Sequence, residues 1–189
     1  MTALTATRPA GGLETKFVAL PAIAGELAES LAAGRIAGYA SLFEEADQGG
    51  DIVAPGAFGA SLARTEAAGR RVKFLWQHDP AMPIGVWTRL AEDARGLHVE
   101  GEILANVTRG ADAIALLKAG AIDGLSIGYR TIRAAPSPET GGRRLIEIDL
   151  WEVSLVTFPL LPTARASLGA EDSGPASFEQ ALAAALAAV

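Results

Sequence analysis

With 189 residues the chain is long enough for one domain with a hydrophobic core, and its net charge of −6, without a basic stripe, argues against nucleic acid as a partner. It has no cysteine and only two histidines, which excludes disulfides and thiol nucleophiles and argues against a zinc site, so no cofactor is predicted. No apolar run reaches the roughly 20 residues that a membrane span needs, and residues 1–12 lack the apolar core of a signal peptide, so the expected location is the cytoplasm, away from membranes.

Short runs of alternating apolar and polar residues, bounded by turn residues, predict about seven strands with two or three helices. The predicted strands cover residues 16–20, 35–43, 71–77, 84–91, 96–103, 121–130 and 144–157. A short helix is predicted after Pro55 and another at 108–119, ended by Gly120, while 22–33 fits either a helix or an elaborated hairpin. So many short strands predict a mainly β fold with flanking helices (α+β), arranged as a closed or strongly curved β-barrel.

The two ends of the chain differ from its middle in composition. Residues 1–13, rich in Thr, Ala, Pro and Gly, are expected to form a disordered arm, and 14–168 to form the single folded domain. After a linker at 169–176, Ser177 begins an amphipathic helix that runs to residue 189. This helix is too short to fold alone, so it is expected to dock on the body, on a second copy or on another protein.

Residues 121–130 are predicted to form a strand with one nearly bare face. That face carries only Gly124, Ser126 and Gly128, while the other face is apolar. Glycine weakens a strand, so two of them in alternate positions suggest a groove where a peptide substrate approaches a nucleophilic serine. The alternative interpretation is a serine that packs under another element of the fold.

A nucleophilic Ser126 needs a base, and the chain offers only two imidazoles. His98 shares the polar face of its strand with Glu100 and is interpreted as a solvated residue. His78 lies at a strand end beside a predicted turn, where functional side chains are common, so it is the better candidate. The alternative is a loop histidine satisfied locally by Asp79.

A third group should orient the imidazole and stabilise its charged form. Strict alternation along residues 146–156 places Glu152 on an otherwise apolar face, where a carboxylate is costly unless it is paired. The alternative is a structural ion pair with Arg130 or Arg165. A strand bulge would exchange the faces and favour Asp149 instead.

Several separated segments resemble the tailed-phage prohead proteases, in the same order along the chain. The segments are Gly38-Tyr39-Ala40 through Phe43 with Gly50-Asp51-Ile52-Val53 and Pro55-Gly56-Ala57-Phe58, then Trp76-Gln77-His78-Asp79 with Pro83-Ile84-Gly85, then Gly124-Leu125-Ser126-Ile127-Gly128-Tyr129, and Leu150-Trp151-Glu152-Val153-Ser154-Leu155-Val156-Thr157 with Pro159. Each motif alone is weak, but together they are specific. The resemblance covers residues 15–166, most of the chain.

The resemblance implies a serine protease of capsid maturation, with a barrel similar to that of the herpesvirus assemblins. It implies Ser126 as the nucleophile, His78 as the general base and Glu152 as the acidic third member. Herpesvirus relatives use a second histidine as the third member, and no histidine follows Ser126 in this sequence.

The same resemblance implies the partners and the location. The expected substrate is the scaffold protein or the major capsid protein precursor, and also the protease itself, inside a procapsid in the bacterial host cytoplasm. A homodimer is a candidate assembly by analogy with the herpesvirus enzymes. Two other functions stay open: a non-catalytic module of the same fold that binds capsid or scaffold, and a small-molecule esterase or amidase with an enclosed pocket.

Overall fold

The computed structural model describes residues 34–168. The disordered arm predicted at 1–13, the strand at 16–20 and the ambiguous segment 22–33 lie outside the described residues, as do the linker at 169–176 and the helix at 177–189. Within residues 34–168, no helix has the length and apolar character needed to cross a membrane.

The described chain is mainly β with two helices, which confirms the predicted class. The elements are β1 (Arg35–Leu42), β2 (Ile52–Val53), α1 (Gly59–Ala67), β3 (Lys73–Trp76), β4 (Asp79–Glu92), β5 (Gly96–Ile103), α2 (Thr108–Lys118), β6 (Gly124–Pro136), β7 (Arg143–Val156) and β8 (Ala166–Leu168). β4 begins earlier than predicted. Pro80 and Pro83 are tolerated there because the β3–β4 pairing is irregular, with register shifts around Leu75.

All eight strands belong to one sheet, in which β7 pairs with three other strands. The strand order is β2-β7-β3-β4-β5-β1-β8, and β6 pairs with β7. β7 is antiparallel to β6 and parallel to both β2 and β3. This order is an open path, so the closed form of the predicted barrel is not established by the strand pairing.

The segment 164–166 forms backbone hydrogen bonds with both β6 and β1. The Leu125 N–H donates to the Ala164 carbonyl at 3.0 Å, and the Tyr39 N–H donates to the Arg165 carbonyl at 3.2 Å. Gly38 permits this approach, because a Cβ there would lie 2.1 Å from the Arg165 carbonyl oxygen. The strands β1 and β6 are therefore held near one another by this segment.

The described residues 34–168 share one hydrophobic core, which packs on one face of the sheet. Fully buried side chains from β3, β6, β7 and the start of α1 meet there, among them Phe74, Leu125, Val153, Leu155 and Phe58. Burial of each such side chain contributes roughly 1.5–3 kcal/mol. Because Leu125, Val153 and Leu155 face the core, the alternate residues of β6 and β7 lie on the opposite face of the sheet.

β7 contains an irregularity at Trp151 that changes which residues face the core. Gly128 pairs with Glu152, but the next residue of β6, Tyr129, pairs with Leu150, so Trp151 is an extra residue. The prediction that Glu152 shares one apolar face with Leu150 is therefore wrong, since the extra residue shifts the alternation. Glu152 lies instead on the face opposite the core.

Candidate active site

A two-residue turn holds His78 at the junction of β3 and β4. Trp76 pairs with Asp79, so Gln77 and His78 form the connection. Their φ angles are 52° and 60°, a left-handed conformation that such turns usually assign to Asn or Gly. Because side chains other than glycine rarely adopt it, the turn is strained and must be held by its surroundings.

Backbone and side-chain hydrogen bonds to β7 hold this turn. The Gln77 N–H donates to the Leu155 carbonyl at 3.0 Å. The Gln77 side-chain amide donates to the Thr157 hydroxyl at 2.7 Å, and the His78 N–H donates to the Ser154 hydroxyl at 3.1 Å. The position of the imidazole is therefore set by the pairing of β3 with β7.

The imidazole of His78 contacts a buried carboxylate. His78 Nδ1 lies 2.5 Å from Glu152 Oε1, and the other Glu152 oxygen accepts a hydrogen bond from the Ser154 hydroxyl at 2.6 Å. Glu152 is 9% exposed. An ionised carboxylate can only accept hydrogen bonds, so a neutral imidazole that bonds a carboxylate through Nδ1 keeps its lone pair on Nε2. That tautomer is the one a general base requires.

Ser126 lies on the neighbouring strand, on the same face of the sheet. It pairs directly with Ser154 in the β6–β7 ladder, two positions away from the pair formed by Gly128 and Glu152. Directly opposed residues have Cβ atoms about 4.5–5.5 Å apart. Within residues 34–168, the Ser126 side chain makes no hydrogen bond, and the residue is half-buried. Three adjacent strands thus bring a serine, an imidazole and a carboxylate to one region of one face.

Both glycines beside Ser126 have close neighbours. A Cβ on Gly128 would lie 2.0 Å from Glu152 Oε1, so the carboxylate occupies the space that a side chain would fill. A Cβ on Gly124 would lie 2.6 Å from the Val156 carbonyl oxygen and 2.7 Å from Pro159 Cδ. Their role in a substrate groove stays a prediction.

The competing candidates lie elsewhere. Asp149, which a bulge was expected to favour, accepts hydrogen bonds from Trp151 Nε1 at 2.9 Å and from Arg130 at 3.4 Å. The hydrogen bond from Trp151 lowers the pKa of the Asp149 carboxyl. The bulge is present, but it is Glu152 that contacts His78.

The other candidate residues, His98 and Arg165, also contact groups other than Ser126, His78 and Glu152. His98 Nδ1 lies 3.6 Å from Glu100, and its ring packs edge-on against Tyr39. Arg165 pairs with Asp123 at 2.6 Å, so it is not the ionic partner of Glu152. Among the residues that the structure describes, no group of three or more potential ligands is arranged to hold a metal.

Sequence reasoning missed Ser154. It is fully buried, and its hydroxyl bonds both Glu152 and the His78 backbone. The available signal was its spacing: a polar residue two positions after Glu152 points to the same face of a strand.

Ser126 also lines a small pocket between β1, β6 and residues 45–53. Its volume is about 50 Å³, and its walls include Leu125, Tyr129 and Asp51. Small-molecule sites usually enclose about 300–1,000 Å³. The described part of the chain therefore does not offer here the enclosed pocket expected of a small-molecule esterase or amidase.

Comparisons with known proteins agree on one group. The model of a family described as caudovirus prohead serine protease matches residues 24–177. A prohead protease of Enterobacteria phage HK97 is 36% identical over 124 residues, 65% of this chain and 54% of the relative. A prohead protease of Escherichia phage T5 is 30% identical over 125 residues, 66% of this chain and 58% of the relative. The chain thus matches little more than half the length of these relatives.

The solved structure of a phage protease shows a related fold at low sequence identity. The bacteriophage T4 capsid assembly protease aligns with a TM-score of 0.53 over 66% of this chain and 82% of that chain, at 14% identity. The KSHV protease reaches a TM-score of 0.49 over 79% of this chain and 76% of that chain, at 15% identity. The herpesvirus-like form of the predicted barrel therefore stays a prediction.

Proposed function

Because the chain belongs to the caudovirus prohead serine protease family, we propose that it is a serine endopeptidase of capsid maturation with Ser126, His78 and Glu152 as its catalytic triad. The observation that carries the proposal is the 2.5 Å contact between His78 Nδ1 and Glu152 Oε1. This contact lies on the same face of the sheet as Ser126, two ladder positions away. Catalytic hydrogen bonds between serine and base are often loose without substrate, so a Ser126 hydroxyl that makes no hydrogen bond to the described residues is consistent with this role.

The proposed reaction is acyl transfer. His78 Nε2 takes the proton of the Ser126 hydroxyl while Oγ attacks the scissile carbonyl carbon. The tetrahedral intermediate collapses to an acyl-enzyme as the imidazolium protonates the leaving amine. Water, activated by the same imidazole, then releases the second product. Glu152 stabilises the imidazolium in both steps through its contact with Nδ1.

The proposed substrate is the scaffold protein or the major capsid protein precursor, and the protease itself, within the assembling procapsid in the host cytoplasm. The names of the matched relatives support this, since two are prohead proteases and one is a capsid assembly protease. Assembly as a homodimer is proposed only by resemblance to the herpesvirus enzymes. We also propose that the sheet closes into a barrel through segment 164–166, which bonds both β6 and β1.

The test is co-expression of the chain with the neighbouring capsid gene, followed by intact-mass analysis. Ser126→Ala should leave the fold intact and lower cleavage by at least about 10³-fold, because the nucleophile is lost. Ser167→Ala, at an exposed strand serine, serves as the matched control and should process the precursor normally. Normal processing by Ser126→Ala would remove the assignment and leave a capsid-binding module as the remaining function.

A further inference from the structure

Ser154 is a fully buried residue of β7 whose two hydrogen bonds both end in the candidate site. Its hydroxyl donates to Glu152 Oε2 at 2.6 Å and accepts the His78 backbone N–H at 3.1 Å. No step of the proposed reaction involves this hydroxyl. A buried hydroxyl is costly unless it is satisfied, and here the site itself satisfies it.

We propose that Ser154 is a positioning residue that fixes the Glu152 carboxylate and the His78 turn as one unit. The proposal rests on the proposed function, in which that carboxylate supports the base. In this role Ser154 does not contact the reacting atoms. It acts through the two residues that it bonds.

The physical reason is that Ser154 restricts two motions, the rotation of the Glu152 carboxylate and the relaxation of the His78 backbone. The terminal torsion of a glutamate is broad, so a carboxylate held through one oxygen can rotate away from its partner. The bond to Oε2 fixes that rotation and leaves Oε1 directed at His78 Nδ1. His78 also adopts a left-handed conformation, with φ at 60°, and its N–H bond to Ser154 helps to hold it there.

The chain supplies a closely matched control in Ser61. This serine of α1 is also fully buried, donates to a carboxylate oxygen of Asp149 at 3.4 Å and accepts the Leu150 N–H at 2.8 Å. Ser61→Ala therefore removes a hydroxyl of the same kind, with the same two types of bond, away from His78. Any general cost of deleting a buried serine should appear in both variants.

The experiment measures how fast a fluorophosphonate probe labels Ser126 in the full-length protein, followed by intact mass. In labelling, the Oγ–P bond forms, the P–F bond breaks, fluoride leaves and the hydroxyl proton passes to His78. We expect Ser154→Ala to label on the order of 10- to 100-fold more slowly, because small misplacements of a catalytic group cost about that much. Ser61→Ala should label at the wild-type rate, and Ser154→Thr, which keeps the hydroxyl, should restore most of the rate.

A second readout reports the positioning itself. The His78 Nδ1 hydrogen, held against Glu152, should give a downfield proton resonance in the NMR spectra of the wild type and of Ser61→Ala. In Ser154→Ala that resonance should shift upfield or disappear, while the backbone amide resonances should remain those of a folded protein.

Wild-type labelling together with an unchanged resonance in Ser154→Ala would overturn the inference. Equal slowing in Ser154→Ala and Ser61→Ala would overturn it too, because the effect would then be one of stability. Failure of the proposed function looks different: the probe would not modify Ser126 in the wild type, or Ser126→Ala would still process the capsid precursor. In that case the resonance alone still decides whether Ser154 positions the His78–Glu152 pair.

Discussion

Gly128 is the residue whose lack of a side chain makes room for the Glu152 carboxylate. An added Cβ would lie 2.0 Å from Oε1 and 2.7 Å from the carboxyl carbon, so Glu152 would have to move. The same oxygen contacts His78 Nδ1. The glycine at this position is thus explained by the site's own geometry, independently of any substrate.

Gly128→Ala should therefore lower cleavage of the capsid precursor on the order of 10- to 100-fold, since it displaces the group that orients the base. Gly59→Ala is the matched control: its Cβ would meet only the flexible end of Glu92 at 3.3 Å, and alanine favours the helix. The measurement is the rate of precursor cleavage at equal amounts of folded protein. An unimpaired Gly128→Ala enzyme would mean that Glu152 can leave His78 without consequence.

At the level of elements, the attachment of segment 164–166 to β1 depends on Gly38. An added Cβ would lie 2.1 Å from the Arg165 carbonyl oxygen and 2.9 Å from Ala166 Cα, both backbone atoms that cannot rotate away. Gly38→Ala should lower the free energy of unfolding by about 1–3 kcal/mol, as overpacking usually does.

The amide of Tyr39, which donates to that Arg165 carbonyl, should exchange its hydrogen faster in Gly38→Ala. Thermal unfolding and hydrogen exchange check the two parts of this prediction. Unchanged exchange at Tyr39 would show that β1 and the segment move together and keep their bond.

The strands were predictable from the sequence because alternation and turn residues are local signals. The same signals single out Ser126 and His78 as candidates, one on a strand with a bare face and the other at a strand end. The extra residue at Trp151 was not predictable, since a bulge depends on how the partner strand pairs. Strict alternation therefore placed Glu152 on the wrong face of β7. The resemblance nevertheless groups Glu152 with His78, which it contacts in the structure. Ser154 was missed because one of its two hydrogen bonds reaches a turn 76 positions away in the chain.

At the scale of the whole molecule, arginine–carboxylate pairs link distant segments and make stability depend on pH. Hydrogen bonds from Arg143 and Arg144 lower the pKa values of Asp51 and Glu44 respectively, and these pairs join residues 44–51 to the start of β7. A carboxyl whose pKa is lowered by folding stabilises the fold fully above its ordinary pKa. That contribution is lost as the pH falls through the lowered value.

The thermal unfolding midpoint should therefore be nearly constant above about pH 5 and fall below about pH 4, near the ordinary pKa of carboxyl groups. Arg143→Gln removes one partner, so its midpoint should be lower at neutral pH and should fall less steeply on acidification. Circular dichroism melts across this range test the prediction. Parallel curves for the two proteins would show that the Asp51 pair contributes nothing to the pH dependence.

The parallel pairing of β3 with β7 also affects when the candidate site forms during folding. His78 and Glu152 are 74 positions apart in the chain, and each reaches the other only when these strands align. Contacts so distant in sequence form late, because the entropy of closing a long loop must first be overcome. A nascent chain still lacking its seventh strand on the ribosome would hold the serine and the imidazole but not the acid that supports them. The proposed hydrolytic activity would therefore arise only after β7 has been synthesised, so a shorter nascent chain would not cleave its substrate.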